Sequence, residues 1–335
     1  MTTRILHTLL LAIAIAAAGG VAAQPHGSLE RISVHGDALE GNLEGNDPDR
    51  DVTVYLPPSY RGDPQRRYPV VYFLHGFGQT TESMTRFLGL LEAVDAAIAA
   101  GAREMIIVMP DAYTKYSGSM YSSSPTIGDW EGFIADDLVE YVDAHYRTIP
   151  NRDSRGLSGH SMGGYGTLRI GMKRPDRFSS MYAMSSCCLM NQAPSREAVE
   201  AQIANGNEPS DNGFANVVPA LAAAWAPNPE RPPHYFDWPY EDGAAQPLVA
   251  AKWITNSPLV MVDQFVPNLE RYEAIFLDVG DADGLRADNE RLAAALSRLG
   301  IEHRFELYEG DHINRIAARF RDLLVPFFSA TLDFE

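Results

Sequence analysis

The chain has 335 residues, with 27 Lys and Arg against 44 Asp and Glu, a formal net charge of −17. Hydrophobic residues make up 45% and charged residues 21%, a globular composition that excludes a mainly disordered chain. The acidic balance, without basic runs, excludes nucleic acid as the expected partner, because phosphate binding needs clustered Lys and Arg.

Arg4 is a short positive region, and Ile5 to Ala18 is apolar apart from His7 and Thr8. Val21-Ala22-Ala23 forms a small-residue cleavage site before Gln24. Residues 1–23 therefore read as a secretory signal peptide. The apolar stretch of about 14 residues is short of the ~20 that span a bilayer. Loss of Arg4 and no acid would take the charge from −17 to −18. The expected location is secreted or periplasmic, with no membrane attachment after cleavage.

Residues 24–50 are rich in Gly, Asn and Asp, with weak strand signals around Arg31–Val34. Val52 to Leu56 alternates as a strand and stops at Pro57-Pro58. Val70 to Leu74 is a continuous apolar run, which suits a strand buried on both faces. Met84, Phe87, Leu88, Leu91, Val94 and Ile98 then recur at helical spacing up to Gly101. Met105 to Met109 predicts another buried strand. Asp129 is placed to cap a helix whose apolar face carries Trp130, Phe133, Ile134, Leu138, Tyr141 and Val142.

Arg155 to Ser158 predicts a short strand, followed by a Gly-rich turn and a helix over Met162–Lys173. Further strands are expected at Phe178–Met184, Ala274–Asp278 and Ile301–Tyr308, with helices at Glu290–Leu299 and Ile313–Val325. Such alternation predicts an α/β fold with a mostly parallel sheet and helices on both faces, formed as one domain over residues 24–335. Residues 189–263 break the rhythm: Pro- and Asn-rich, with Trp225, Tyr235, Phe236, Trp238, Tyr240 and Trp253. So long an irregular stretch predicts an inserted cap over the strand ends.

Cys187 and Cys188 are the only cysteines and are adjacent. Consecutive Cα atoms lie ~3.8 Å apart, whereas disulfides usually span ~4.4–6.8 Å, so two free, partly buried thiols are expected. No metal-ligand spacing of the C-x-x-C or H-E-x-x-H kind occurs, and no cofactor is implied.

Gly159-His160-Ser161-Met162-Gly163 is a G-x-S-x-G match between a predicted strand and a predicted helix. The glycines permit a tight turn with the Ser161 hydroxyl at its tip. A nucleophilic serine needs a base. His234, His303 and His312 follow it; His234 lies in the insert and His303 at the last strand. His312 sits in the loop between the last strand and last helix, where the base belongs. The acid should leave the preceding strand, where Asp278 is still in the strand and Asp281 and Asp283 remain as candidates. A calcium loop over Asp281, Asp283 and Glu290 would put Val279, which cannot ligate, at its first position and Arg286 at its eighth, which disfavours it. Two backbone amides should face the developing oxyanion: that of Met162, and that of Phe77 in His75-Gly76-Phe77-Gly78. The aromatic loop Pro110–Trp130 follows a strand, so Tyr116, Tyr121 and Trp130 are candidate substrate-binding residues.

Three stretches carry a resemblance: Leu74 to Gly78, Arg155 to Gly164, and Tyr308-Glu309-Gly310-Asp311-His312. Together they resemble the family of α/β-hydrolases known as Putative esterase, which includes esterase D, feruloyl esterases, enterochelin esterases and mycolyltransferases. The resemblance implies an α/β-hydrolase fold, Ser161 as nucleophile, His312 as base, and Phe77 and Met162 as oxyanion donors. The family's G-x-x-D pattern fits Gly280 to Asp283 and favours Asp283 as the acid.

The expected function is a serine carboxylic-ester hydrolase acting on a small-molecule ester through an acyl-enzyme. Its nearest rival is an acyltransferase of the mycolyltransferase type, in which an alcohol replaces water. A catalytically silent binding module is the other alternative, and intact Ser161 and His312 argue against it.

Overall fold

In the computed structural model, residues 26–335 are described; the signal-peptide reading of residues 1–23 lies outside them. Eight strands make one sheet: β1 (Ser28–His35), β2 (Asp49–Leu56), β3 (Val70–Leu74), β4 (Ile106–Pro110), β5 (Arg155–His160), β6 (Ser180–Met184), β7 (Ala274–Gly280) and β8 (Arg304–Tyr308). Their order is β1-β2-β4-β3-β5-β6-β7-β8. Only β2 runs against the rest, pairing antiparallel with both β1 and β4. The sheet is therefore mostly parallel, as the strand–helix alternation predicted.

The continuous apolar run of β3 has a direct cause. Val70, Tyr72 and Leu74 face one core, and Val71 and Phe73 face the other. Successive side chains alternate across a strand, so burial on both faces demands an unbroken run. One face is covered by α1 (Thr81–Leu88), α2 (Leu90–Ala99) and the C-terminal helix. The other is covered by α3, a continuous helix over Trp130–Gly132, Phe133–Asp137 and Leu138–His145, and by α4 (Met162–Lys173). Asp129 caps α3 by accepting the Gly132 N–H at 3.0 Å.

Three helices differ from expectation; the one expected at Glu290–Leu299 begins a turn earlier and spans Arg286–Arg298. The apolar periodicity from Met84 to Ile98 read as one helix; Gly89, at φ 57° and ψ 51°, divides it. That left-handed geometry costs glycine little, and the bend leaves Phe87 40% exposed. The last helix starts at Ile316 and runs to Thr331, beyond Val325. A widened turn over Phe320–Leu324 precedes Pro326, so the missing proline N–H does not break it.

Residues 189–263 contain three helices of nine residues each, α5 (Arg196–Ala204), α6 (Val217–Trp225) and α7 (Pro247–Thr255). They pack near the carboxyl ends of the central strands. Ser124 Oγ donates to Ala223 O at 2.8 Å, and Tyr165 OH of α4 donates to Asn256 O at 2.8 Å. Among the described residues no helix is long and apolar enough to cross a membrane.

Beneath the site, Asp278 of β7 is fully buried and Arg319 of the last helix nearly so. Arg319 Nε donates to Asp278 at 2.6 Å and Nη1 to Glu306 of β8 at 2.9 Å. Tyr182 of β6 also donates to Asp278. Burial pushes the Asp278 carboxyl up despite the guanidinium beside it. Arg319→Met should cost ~3–5 kcal/mol, because it strands a buried charge. Urea denaturation at neutral pH measures the loss. The deficit should shrink at acid pH, where protonation removes the stranded charge.

Candidate active site

Strand β5 ends at His160 and α4 begins at Met162, so Ser161 is the whole turn between them. The turn is possible because two residues lack a Cβ. A Cβ on Gly163 would stand 1.9 Å from the Leu74 carbonyl oxygen, and one on Gly159 would stand 2.4 Å from that of Gly163. Ser161 is held at φ 58° and ψ −113°, a sparsely populated conformation that costs of order 1–3 kcal/mol. Its N–H donates to Met184 O at 3.0 Å, and its carbonyl accepts from Tyr165 N and Cys187 N at 3.0 and 3.1 Å.

Register brings the other groups to the same edge. Leu74 pairs with Gly159, so the loop after β3 meets the serine. The loops after β7 and β8 leave together, because Gly280 pairs with Tyr308. His312 Nε2 lies 2.9 Å from Ser161 Oγ, and His312 Nδ1 lies 2.8 Å from Asp283 Oδ2. Asp283 also accepts the Leu285 N–H at 2.8 Å. Burial alone would raise the Asp283 carboxyl, but the hydrogen bonds from His312 and Leu285 hold it below its ordinary value.

Asp281, the other candidate, turns away from the imidazole. Its Oδ1 accepts the Gly310 N–H at 3.0 Å and so braces the loop that carries His312. The calcium geometry is absent here as well: Asp283 faces His312, and Glu290 pairs with Arg286 at 2.8 Å. Among the described residues, His35, Asp37 and Glu40 alone cluster closely enough to suggest a metal, and all three are exposed. His303 faces its own Ile301 carbonyl at 2.9 Å, and His234 faces Tyr116 OH at 3.0 Å. His160 donates from Nε2 to the His312 carbonyl at 2.9 Å. Burial, and then the neighbouring His312, push its pKa down to about 3, so it stays neutral and acts as a strut.

Phe77 lines the cleft with Ser161 and His312, and Met162 directly follows the serine. Met162 is the first residue of α4, so no preceding turn accepts its N–H. Gly76 lies against Ser161, since a Cβ there would meet the serine Cβ at 3.5 Å. His75 fixes the loop: its Nε2 accepts the Ala112 N–H at 2.8 Å and its Nδ1 donates to Gly76 O at 2.9 Å. Burial pushes the His75 pKa down, which keeps that tautomer neutral.

The three aromatic residues assigned to substrate are in the core, and this corrects the sequence reading. Tyr116 is 1% exposed and donates its hydroxyl to Asn207 O. Tyr121 packs on Gly166 and donates to the His75 carbonyl at 3.1 Å. Trp130 donates to Ile127 O and packs edge-on against Phe133. Alternation of small and aromatic residues did not reveal which way the loop folds; it folds inward, and Tyr121 supports the Phe77 loop through the His75 carbonyl. The cleft over Ser161, about 280 Å³, is lined instead by Phe77, Met120, Cys187, Phe214, Val217 and Leu285. Position after the carboxyl end of β6 is the signal that would have brought Cys187 into the site.

A match to the family described as Putative esterase runs over residues 46–327. The chain belongs to that family. An esterase of Mycobacterium tuberculosis is 36% identical over 131 residues, covering 38% of this chain and 27% of the relative. An endo-1,4-beta-xylanase/feruloyl esterase of Xylanibacter ruminicola is 27% identical over 208 residues, covering 59% of this chain. The alignment takes in 27% of the length of each of these relatives. Among solved structures, a ferulic acid esterase superposes with a TM-score of 0.67 at 22% identity, covering 92% of this chain and 99% of that one. An S-formylglutathione hydrolase from Agrobacterium tumefaciens gives 0.63 at 17% identity, covering 92% and 97%. These structures share the α/β-hydrolase fold with this member of the Putative esterase family.

Gly163→Ala should destabilise the protein by at least ~3 kcal/mol, since a methyl group cannot occupy a 1.9 Å gap without moving β3. The melting temperature and fluorophosphonate labelling of Ser161 should fall together.

Proposed function

We propose that the chain is a secreted serine carboxylic-ester hydrolase, formed as one α/β-hydrolase domain with residues 189–263 as its cap. One observation carries the reading: the unbroken hydrogen-bond series Ser161 Oγ, His312 and Asp283, at 2.9 and 2.8 Å, beside the Phe77 and Met162 amides. His312 Nε2 takes the Ser161 proton as the serine oxygen attacks the ester carbonyl. The oxyanion that forms accepts from the Phe77 and Met162 N–H groups. His312 then returns the proton to the leaving alcohol, and an acyl-serine remains. Water, deprotonated by His312, attacks the acyl carbon and releases the acid. Asp283 holds the imidazole with Nδ1–H toward it and balances the imidazolium charge. The small-residue site before Gln24 supports export.

The lining of the cleft bears on the substrate. Apart from Ser161 and His312 its side chains offer carbon and sulfur, and Phe214, 80% exposed, overhangs it from the cap. Apolar walls favour an uncharged acyl group, aliphatic or aryl. The net charge of −17 opposes anionic esters.

Ser161→Ala and His312→Ala should each lower kcat by at least ~10⁴-fold, because the two act as a unit. Asp283→Asn should lower kcat by ~10²–10⁴-fold. Asp281→Asn, whose amide oxygen can still accept from Gly310, should change it little. Initial rates with a chromogenic acetate decide between the two aspartates, and a ranking with Asp281 first would move the role there. Uncharged aryl or hydroxycinnamoyl esters should show higher kcat/KM than esters bearing a free carboxylate or phosphate. That gap should narrow as salt is raised, since screening weakens the charge penalty; a preference for the dianionic ester at low salt would overturn the apolar-pocket reading.

A further inference from the structure

Two thiols that ester hydrolysis does not use sit in the wall of the cleft. Cys187 and Cys188 line it together with Ser161 and His312. In an extended chain adjacent side chains point to opposite sides. Cys188 is instead held at φ 58°, and the two Sγ atoms meet, 2.7 Å apart. Both residues are partly exposed, so a small reagent in the cleft can reach them. The pair is also tied to the serine by the main chain: Cys187 N–H donates to the Ser161 carbonyl.

We propose that Cys187 and Cys188 are a redox modification site, which low-molecular-weight disulfides oxidise reversibly to a vicinal disulfide that lowers activity at Ser161. The inference rests on Ser161 being the nucleophile. In the first step the Cys188 thiolate attacks one sulfur of the oxidant, expelling one thiolate and forming a mixed disulfide. In the second, Cys187 gives up its proton and attacks Cys188 Sγ, expelling the other thiolate. Two cysteine thiols are oxidised, and one external disulfide is reduced to two thiols, which carry the two protons. The hydrogen bond to Cys188 and burial push the Cys187 thiol up, which suits it to the second, intramolecular step rather than the first.

Adjacency explains why the oxidation is reversible. Cα atoms ~3.8 Å apart are closer than the usual ~4.4–6.8 Å of disulfides, so the ring is strained and easily reduced. Ring closure also re-sets the peptide between the two cysteines and both side-chain rotamers. That moves the wall facing the acyl group and pulls on the residue whose amide holds the Ser161 carbonyl. A displacement of about 1 Å at a reacting group can cost ~10²-fold in rate.

The test equilibrates the purified protein with reduced or with oxidised glutathione. Peptide mapping by mass spectrometry reads the cysteines; kcat/KM on an uncharged aryl ester and the rate of fluorophosphonate labelling of Ser161 read the site. Oxidised glutathione should remove both thiols, leave no glutathione attached and form no crosslinked dimer. Both rates should fall by ~10-fold or more and return with dithiothreitol. In the double variant Cys187→Ser, Cys188→Ser the ratio of oxidised to reduced activity should be one, whatever its absolute activity. Persisting thiols, a stable glutathione adduct, or a vicinal disulfide with unchanged rates would each overturn the proposal. Thiol state and Ser161 labelling need no ester turnover, so failure of the esterase reading is told apart from failure of the switch.

Discussion

The contact between Gly163 and the end of β3 sets the geometry of everything above it. Helix α4 can start immediately after Ser161 only if its second residue presents no side chain to the Leu74 carbonyl, where a Cβ would be 1.9 Å away. That approach draws the His75–Gly78 loop to the helix start. Phe77 and Ser161 thereby line one cleft, with Met162 next to the serine in the chain. The same closeness forces Ser161 into a positive φ, a cost borne by the packed strands and helices around it rather than by local preference.

Around this point, charge is distributed by burial. Asp283 is kept ionised by the groups that donate to it. Asp278, earlier in the same stretch, is raised by burial and offset by Arg319. Asp281 braces a main-chain amide at the surface. Three aspartates so close in sequence thus have three different duties, set by whether the environment supplies donors, a cation or water. Two histidines beside the site, His75 and His160, are held neutral by burial, so they can orient loops without competing for the serine proton.

The cap and the aromatic loop show a different constraint. Tyr116, Tyr121 and Trp130 carry polar tips that must find partners when buried. They find main-chain carbonyls at Asn207, His75 and Ile127. Those bonds tie the cap, the Phe77 loop and α3 to the same short segment. Walls made by Phe214 and Val217 come from the cap, and those made by Cys187 from the end of β6. The cleft is therefore an interface between parts of the chain that are far apart in sequence.

Much of this was legible in the sequence. Continuous apolar runs marked β3 and β4, because strands buried on both faces admit little else. The helix Met162–Lys173 was legible from its glycine-rich start. Ser161, His312 and the pair Asp281 and Asp283 were legible as candidates, because their chemistry is tied to strand ends and those ends are visible as breaks in hydrophobic pattern. The division at Gly89 was not, since a helical period continues across a bend in which one residue turns left-handed. Nor was the inward course of residues 110–130, because an aromatic residue suits a core and a binding wall equally well. Residues alone left Asp281 and Asp283 both open, and only the resemblance favoured Asp283, because carboxylates two residues apart are chemically alike until hydrogen bonds tell them apart. Sequence determines which groups are available and on which elements they ride. Direction, partner and distance are properties of packing, and only the tertiary structure decides them.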